Sequence, residues 1–216
     1  MTGLANPQAP TSSLISERFW RNFIPIPASH RFQLGDRAPD FTLIEAGTRQ
    51  PYRLSQHWGE RPVVLAFTRI FTERHYCPLC FPHLVAMNEA YNKFAAAGAQ
   101  LILLTSTTLA QSQVVKTDLN LQPPLLCDPF CEVFRQYGTG QALGAPLSAQ
   151  FVLDKYGRLR YWHHFSFFGL QRRTVAPALH LIDPANGLNH AGTDESLMGS
   201  GSPASEHVTC SHHEEF

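Results

Sequence analysis

VVLAFTRIFTERHYCPLCFPHLVAMNEAYNKFAAAGAQLILLT, residues 63–105, is the stretch whose reading decides the fold. It opens on VVLAF (63–67), an unbroken apolar run, as expected of a strand buried on both faces. It closes on QLILLT (100–105), a second such run. Between them Leu84, Met87, Tyr91 and Phe94 share one helical face, and Gly98 is a natural helix stop. Strand, helix, strand is a βαβ unit, so the two strands are predicted to be parallel with a right-handed crossover.

The neighbouring segments extend this unit. Downstream, a helix is expected from about Leu109 to Leu119, then a short strand in PLLC (124–127). Asp128 and Pro129 suit the N-cap and first position of a further helix running to Tyr137 and stopping at Gly138. QFVLD (150–154) and RLRYWHHF (158–165) flank KYG, which reads as a hairpin, and a last helix is expected around Thr174 to Ile182. Upstream, DFTLIEAGTRQPYRL (40–54) reads as two short strands around Gly47. A parallel βαβ half therefore meets an antiparallel hairpin half, in an α/β domain with a central mixed sheet flanked by helices.

The ends read differently. Residues 1–33 form an N-terminal extension, rich in Pro, Ser, Thr and Asn over 1–13 and then carrying LISERFWRNFIPIP (14–27). Ile15, Phe19 and Phe23 recur every four residues there, so a short helix docked on the domain is expected, ended by Pro25 and Pro27. A membrane-surface helix is disfavoured, because only Arg18 and Arg21 supply positive charge. The ordered domain is expected over 34–183. Residues 184–216 are rich in Gly, Ser, Asn and His and are expected to form a disordered tail.

Charge excludes some functions. Lys plus Arg and Asp plus Glu are both 17, so no basic surplus points to nucleic acid. No apolar run reaches membrane-spanning length, and the first residues lack a basic start followed by an apolar stretch. A cytoplasmic, reducing setting is the expectation. The five cysteines are Cys77, Cys80, Cys127, Cys131 and Cys210, an odd count that is no disulfide framework. In a reducing compartment a Cys-x-x-Cys pair is more often catalytic or metal-binding than structural.

Chemistry concentrates in HYCPLCFPH (75–83). Pro78 suits the first position of a helix, which makes Cys77 the expected N-cap and places Cys80 in the first turn. A helix start stabilises a thiolate, the reactive form of cysteine. Arg69, Arg74 and His75 are near in sequence and add positive charge. Cys77 is then the nucleophile and Cys80 its resolving partner. Pro82 complicates the turn, since it cannot donate to the carbonyl of Pro78, and the regular helix can begin nearer Cys80. Two other readings stand beside this one. Cys77, Cys80 and His83 have zinc-like spacing but lack a second ligand pair at the usual spacing, CDPFC (127–131) having three intervening residues. Two buried, inert thiols are the plainest reading. Cys127 and Cys131 read as small buried residues. Cys210, beside His207, His212 and His213, reads as part of a solvated tail.

Five segments together carry a resemblance: LGDRAPDFTL (34–43), PVVLAFTRIFTERHYCPLC (62–80), NEAYNKFAAAGAQLILLT (88–105), PPLLCDPFCEVFRQYG (123–138) and AQFVLDKYGRLRY (149–161). In this order they resemble the peroxiredoxin family, of the alkyl hydroperoxide reductase and thiol-specific antioxidant type. The resemblance implies a thioredoxin-like fold and reduction of peroxides by a peroxidatic cysteine at Cys77. It implies no cofactor and no metal. It implies a thiol reductant such as thioredoxin, glutaredoxin or glutathione, and it leaves a homodimer open. Family members place Thr or Ser three residues before that cysteine and Pro seven before; here Arg74 and Ile70 stand there, and Thr72 lies five before. The arginine expected just before the FVLD strand corresponds to Ser148. Thr72, Arg69, Arg74 and Ser148 are therefore the candidates for stabilising the thiolate. The added Cys80 makes the site resemble that of thioredoxins and glutaredoxins, so a peroxide and a protein disulfide are both candidate substrates, with a non-catalytic binding module as the third class.

Overall fold

In the computed structural model, residues 16–165 and 175–182 are described. The two apolar runs became the central strands β3 (Val63–Thr68) and β6 (Gln100–Thr105), paired in parallel from Val63↔Gln100 to Thr68↔Thr105. The helical face between them is split into α2 (Phe81–Glu89) and α3 (Tyr91–Ala96), interrupted at Ala90 rather than continuous. The remaining elements in chain order begin with α1 (Glu17–Arg21), β1 (Thr42–Glu45) and β2 (Pro51–Arg53). A short hairpin, β4 (Ile70–Thr72) and β5 (His75–Tyr76), precedes the cysteines. After β6 come α4 (Leu109–Asp118), β7 (Leu125–Cys127), α5 (Glu132–Gln136), and the hairpin β8 (Gln141–Ala142) with β9 (Ala145–Pro146). The chain continues through β10 (Ala149–Leu153) and β11 (Leu159–His164) to α6 (Val175–Ile182).

Seven strands form one mixed sheet in the order β11-β10-β3-β6-β7-β1-β2. β3, β6 and β7 run parallel, and the flanking pairs are antiparallel. Alternation along the strands sends side chains to two cores. Val64, Ala66, Leu101, Leu103 and Val152 meet Leu84, Met87, Phe94, Val115 and Ile182 on one face. Val63, Leu65, Phe67, Ile102, Leu104 and Phe151 meet Leu54, Val133, Phe134 and Tyr137 on the other. Burial on both faces explains why β3 reads as a run and not as an alternating strand.

One helix start departs from the expectation. Asp128 is not the residue flanking the helix, because α5 begins only at Glu132, after Cys131 in the left-handed region at φ 57°. Its carboxylate nevertheless caps that helix from a distance, accepting from the backbone N–H groups of Glu132 (2.9 Å), Val133 (2.8 Å) and Phe134 (3.1 Å). The left-handed Cys131 turns the chain so that a carboxylate four residues back reaches the free N–H groups of the first turn.

The N-terminal helix does dock on the domain. Ser16 caps α1 through Phe19 N–H (3.2 Å), as Ser is suited to do. Beyond it the backbone of Ile26 exchanges two 2.8 Å bonds with Gln141. Phe19 lies so close to Gly144, at φ +89°, that a Cβ there would fall 2.0 Å from the ring, so only glycine fits. The expected tail over 184–216 lies outside the described residues. No helix among the described residues is long and apolar enough to cross a membrane.

Candidate active site

The hairpin β4–β5 is what builds the site. The chain leaves the central sheet after Arg69 and returns at Cys77, so the two residues are the feet of the hairpin. Backbone N–H of Cys77 donates to the Arg69 carbonyl at 3.3 Å. The Arg69 guanidinium, itself buried, reaches Cys77 Sγ at 3.9 Å with one amino group. Its other amino group donates to the carbonyl of Ala142 in β8. The ring of Phe71 lies 5.0 Å from the guanidinium carbon.

Cys77 is not the N-cap. Its carbonyl accepts from Cys80 N–H (3.0 Å) and Phe81 N–H (2.9 Å), closing one turn over the CPLC motif, and the regular helix starts at Phe81 with Cys80 as N-cap. Pro82 is the cause. It cannot donate to Pro78, but at the second helical position its missing N–H leaves nothing unsatisfied. The thiolate therefore draws less on a long helix dipole than on nearby donors. Cys77 is pulled down to about 5. The hydrogen bond from the Cys80 thiol is the main cause, opposed by burial and aided by the Cys80 and Leu79 N–H groups and the Arg69 charge. Cys80 moves the other way, raised because its proton is held between the sulfurs and because it is buried, with the Ser148 hydroxyl pulling weakly against this. The pair thus divides into an acidic thiol, ionised at neutral pH, and a thiol that keeps its proton.

Of the four candidates named from sequence, Arg69 is the one placed against Cys77. Ser148 lies against Cys80 instead. Thr72 is buried, but its hydroxyl meets His75 Nδ1 at 2.7 Å and accepts from the Arg74 N–H at 3.2 Å. Arg74 sits exposed at the hairpin turn. Cys127 and Cys131 are buried, as expected of small core residues, and burial raises both thiols, Cys131 to about 11. Cys210 lies outside the described residues. Among the described residues no three His, Cys, Asp or Glu side chains converge as a metal site.

Three buried polar side chains, His83, Ser148 and Gln150, were not singled out as a group from sequence. Ser148 directly precedes β10, Gln150 lies in it and pairs with His163 on β11, and His83 is buried beside the ring of Phe165 at 4.5 Å. Among the described residues the ring nitrogens of His83 and Nε2 of His163 have no hydrogen-bond partner. The signal was present: in LSAQFVLD (147–154), Ser and Gln alternate inside an otherwise apolar strand.

Burial drives His83 down to about 3, with His163 adding to the effect. The ordinary histidine value is about 6.5, so on acidification the unfolded chain takes the proton first. Stability is full above about pH 6.5 and falls by about 1.4 kcal/mol per unit towards pH 3 from this residue alone. Replacing His83 with Leu should flatten the fall in melting temperature between pH 6.5 and 5 by about 2 kcal/mol, or roughly 4–8 °C. Parent and variant melting curves that shift in parallel with pH would refute this.

Comparison with known proteins gives the family. The AhpC/TSA family model matches residues 34–162, more than half of the chain. The chain belongs to the AhpC/TSA family. Among its relatives, Peroxiredoxin tpx1 of Schizosaccharomyces pombe is 32% identical over 139 residues, covering 59% of this chain and 69% of that protein. The chloroplastic Peroxiredoxin Q of Oryza sativa subsp. japonica is 31% identical over 135 residues, 62% of this chain and 59% of that protein. The chain thus spans about three fifths of the length of the rice relative. Solved structures share the fold, which is thioredoxin-like as the resemblance implied. Peroxidoxin BcpB from Mycobacterium tuberculosis superposes with a TM-score of 0.59 at 22% identity, over 70% of this chain and 96% of the other. The reduced 2-Cys peroxiredoxin of Plasmodium vivax gives 0.61 at 20%, over 71% and 96%. In this AhpC/TSA member the arginine near Cys77 is Arg69, just after β3, and Ser148 stands at the position for which the resemblance implied an arginine.

Proposed function

We propose that this chain is a thiol-dependent peroxidase, reducing peroxides through a Cys77/Cys80 dithiol–disulfide cycle. The observation that carries the reading is Cys77, a residue only 4% exposed, with its sulfur between the Arg69 guanidinium and the Cys80 thiol. The Cys77 thiolate attacks one peroxide oxygen and the O–O bond breaks. The departing oxygen takes a proton and leaves as water or an alcohol, with Cys77 oxidised to sulfenic acid. Cys80 then attacks the Cys77 sulfur, a disulfide forms and water leaves. Two equivalents of an external thiol return both cysteines to the reduced state. A thioredoxin, glutaredoxin or glutathione in a reducing compartment such as the cytoplasm fits that last step.

The second reading is disulfide exchange with protein substrates, supported by CPLC. Depth argues against it as the main activity. A hydroperoxide is small enough to reach the buried Cys77, which a protein disulfide substrate would also have to meet, whereas a thiol reductant need reach only the half-buried Cys80.

Stopped-flow oxidation of the reduced protein by hydrogen peroxide tests this, with reduction of insulin by the same protein as the comparison. Peroxide cleavage needs donors for charge developing on both oxygens. Arg69 supplies one set, while the Thr72 hydroxyl is engaged by His75. A missing preorganised donor slows a reaction by about two to three orders of magnitude. The expected rate constant is therefore about 10⁵ to 10⁶ M⁻¹s⁻¹, below the ceiling of about 10⁸. No oxidation by peroxide together with fast insulin reduction would transfer the function to disulfide exchange.

A further inference from the structure

We propose that Arg18 is a positioning residue for the Cys77 site: it anchors β4, the strand that directly follows Arg69, so that docking of the N-terminal helix governs how Cys77 reacts. The inference rests on the reading of Cys77 as the nucleophile.

Arg18 enters the domain from α1 as a largely buried cation. One amino group donates to the carbonyl of Ser106 at 2.6 Å, its hydroxyl at 2.7 Å and the carbonyl of Ile70 at 3.3 Å. The other donates to the carbonyl of Phe71. Every one of these acceptors is neutral, and none of the ion pairs among the described residues includes Arg18. A buried guanidinium without a carboxylate is tolerated only where charge-assisted hydrogen bonds replace its water.

Those bonds land on a particular place. Ile70 and Phe71 follow Arg69 directly. They belong to β4, which pairs with β5 and not with the main sheet. Downstream of Arg69 the chain is thus held by Arg18 against the turn after β6. The second restraint on Arg69 has the same origin. Its bond to Ala142 is to β8, and the β8–β9 hairpin also lies outside the main sheet. That hairpin is bound by the N-terminal segment: Leu143 N–H to the Phe23 carbonyl (3.1 Å), Gly144 N–H to the Asn22 carbonyl (3.0 Å), and the Gln141 side chain to the Arg21 and Ile24 carbonyls (both 3.1 Å). These two connections of Arg69, through β4 and through β8, converge on residues 18–26. The helix offers little else to the core, since none of its apolar residues is fully buried.

Full-length protein decides the point. The rate of alkylation at each cysteine is mapped against pH in the parent, Arg18→Met, Arg18→Lys, Arg69→Met and the Arg18→Met/Arg69→Met double variant. Arg18→Met should move the Cys77 midpoint upward, slow peroxide oxidation of Cys77 about tenfold, and be partly restored by Arg18→Lys. In the Arg69→Met background Arg18→Met should add little, because it acts through Arg69. An unchanged midpoint, or a full effect in the Arg69→Met background, overturns the inference even if the melting temperature falls. Should Arg18→Met not fold, Ser106→Ala removes one acceptor and keeps the charge; an upward midpoint supports the inference and an unmoved one overturns it. If Cys77 is not the most reactive thiol in the parent, the nucleophile assignment fails and this inference fails with it. If Cys77 is the most reactive and Arg18 has no influence on it, this inference alone fails.

Discussion

Cys77→Ser should reduce peroxide consumption to background, a loss of about four orders of magnitude or more, while Cys80→Ser should spare the first oxidation and stop the cycle after it. The asymmetry follows from the division of labour between the sulfurs. Cys77 is held at about 5, so it is ionised at neutral pH, whereas Cys80 keeps its proton. A serine hydroxyl at 77 is a far weaker nucleophile, and removal of a nucleophile leaves only residual catalysis. Without Cys80 the sulfenic acid at Cys77 has no resolving thiol within the motif. It should then be trapped by a dimedone-type reagent or by added thiol as a mixed disulfide. Mass spectrometry of the oxidised variants reads this directly. A sulfenic acid on Cys80 in the Cys77→Ser variant, with turnover retained, would reverse the roles. Cys80→Ala also removes the donor to Cys77, so in that variant the Cys77 midpoint should rise, whereas the Cys80→Ser hydroxyl can still donate.

Arg69→Met should slow the reaction of Cys77 with peroxide by about two orders of magnitude and shift its pH profile to higher pH by roughly one unit or more. Two effects combine. Loss of the cation 3.9 Å from the sulfur raises the thiol, and loss of its N–H groups removes donors for the breaking O–O bond. The sign is fixed by the charge: a cation favours the thiolate, so the rate climbs with pH through a higher midpoint once it is gone. Above both midpoints the thiolate fractions converge, and whatever deficit persists there reports transition-state stabilisation alone. Single-turnover rates from pH 5 to 9 separate the two effects. A variant matching the parent across that range would show that the guanidinium does nothing for the chemistry. Arg69→Lys should recover part of the pH shift but less of the rate, because an ammonium keeps the charge and loses the planar fork.

Much of the fold was legible because burial on two faces leaves a strong imprint. VVLAF and QLILLT became β3 and β6 with bounds nearly as read, and the strands around Gly47 and around KYG became β1–β2 and β10–β11. The β4–β5 hairpin was less visible. RIFTERHY (69–76) has neither a clean alternation nor a glycine turn, and its pairing is confined to two short strands. That hairpin decides which arginine serves the site. It returns the chain to Arg69 and carries Arg74 out on the turn, a distinction that depends on register and not on charge. The cysteine pair was legible from spacing. The N-cap was displaced from Cys77 to Cys80 because one proline, Pro82, excludes a hydrogen bond that the pattern assumed. Arg18 carried no signal beyond being a cation on a short amphipathic segment, since its acceptors are main-chain carbonyls to which no side-chain pattern points.

The bond between the two sulfurs has a further consequence, for the energetics of reduction. In the reduced site one negative charge is shared by a thiol proton, two main-chain N–H groups and a guanidinium. A disulfide between Cys77 and Cys80 carries no charge and accepts none of this support. Whatever steadies the thiolate therefore favours the dithiol over the disulfide, and raises the potential of the couple by an amount on the order of tens of millivolts. The oxidised site no longer holds the thiolate that faced the Arg69 guanidinium. It takes up electrons readily, so the choice of donor turns on which thiol can enter rather than on which is the stronger reductant.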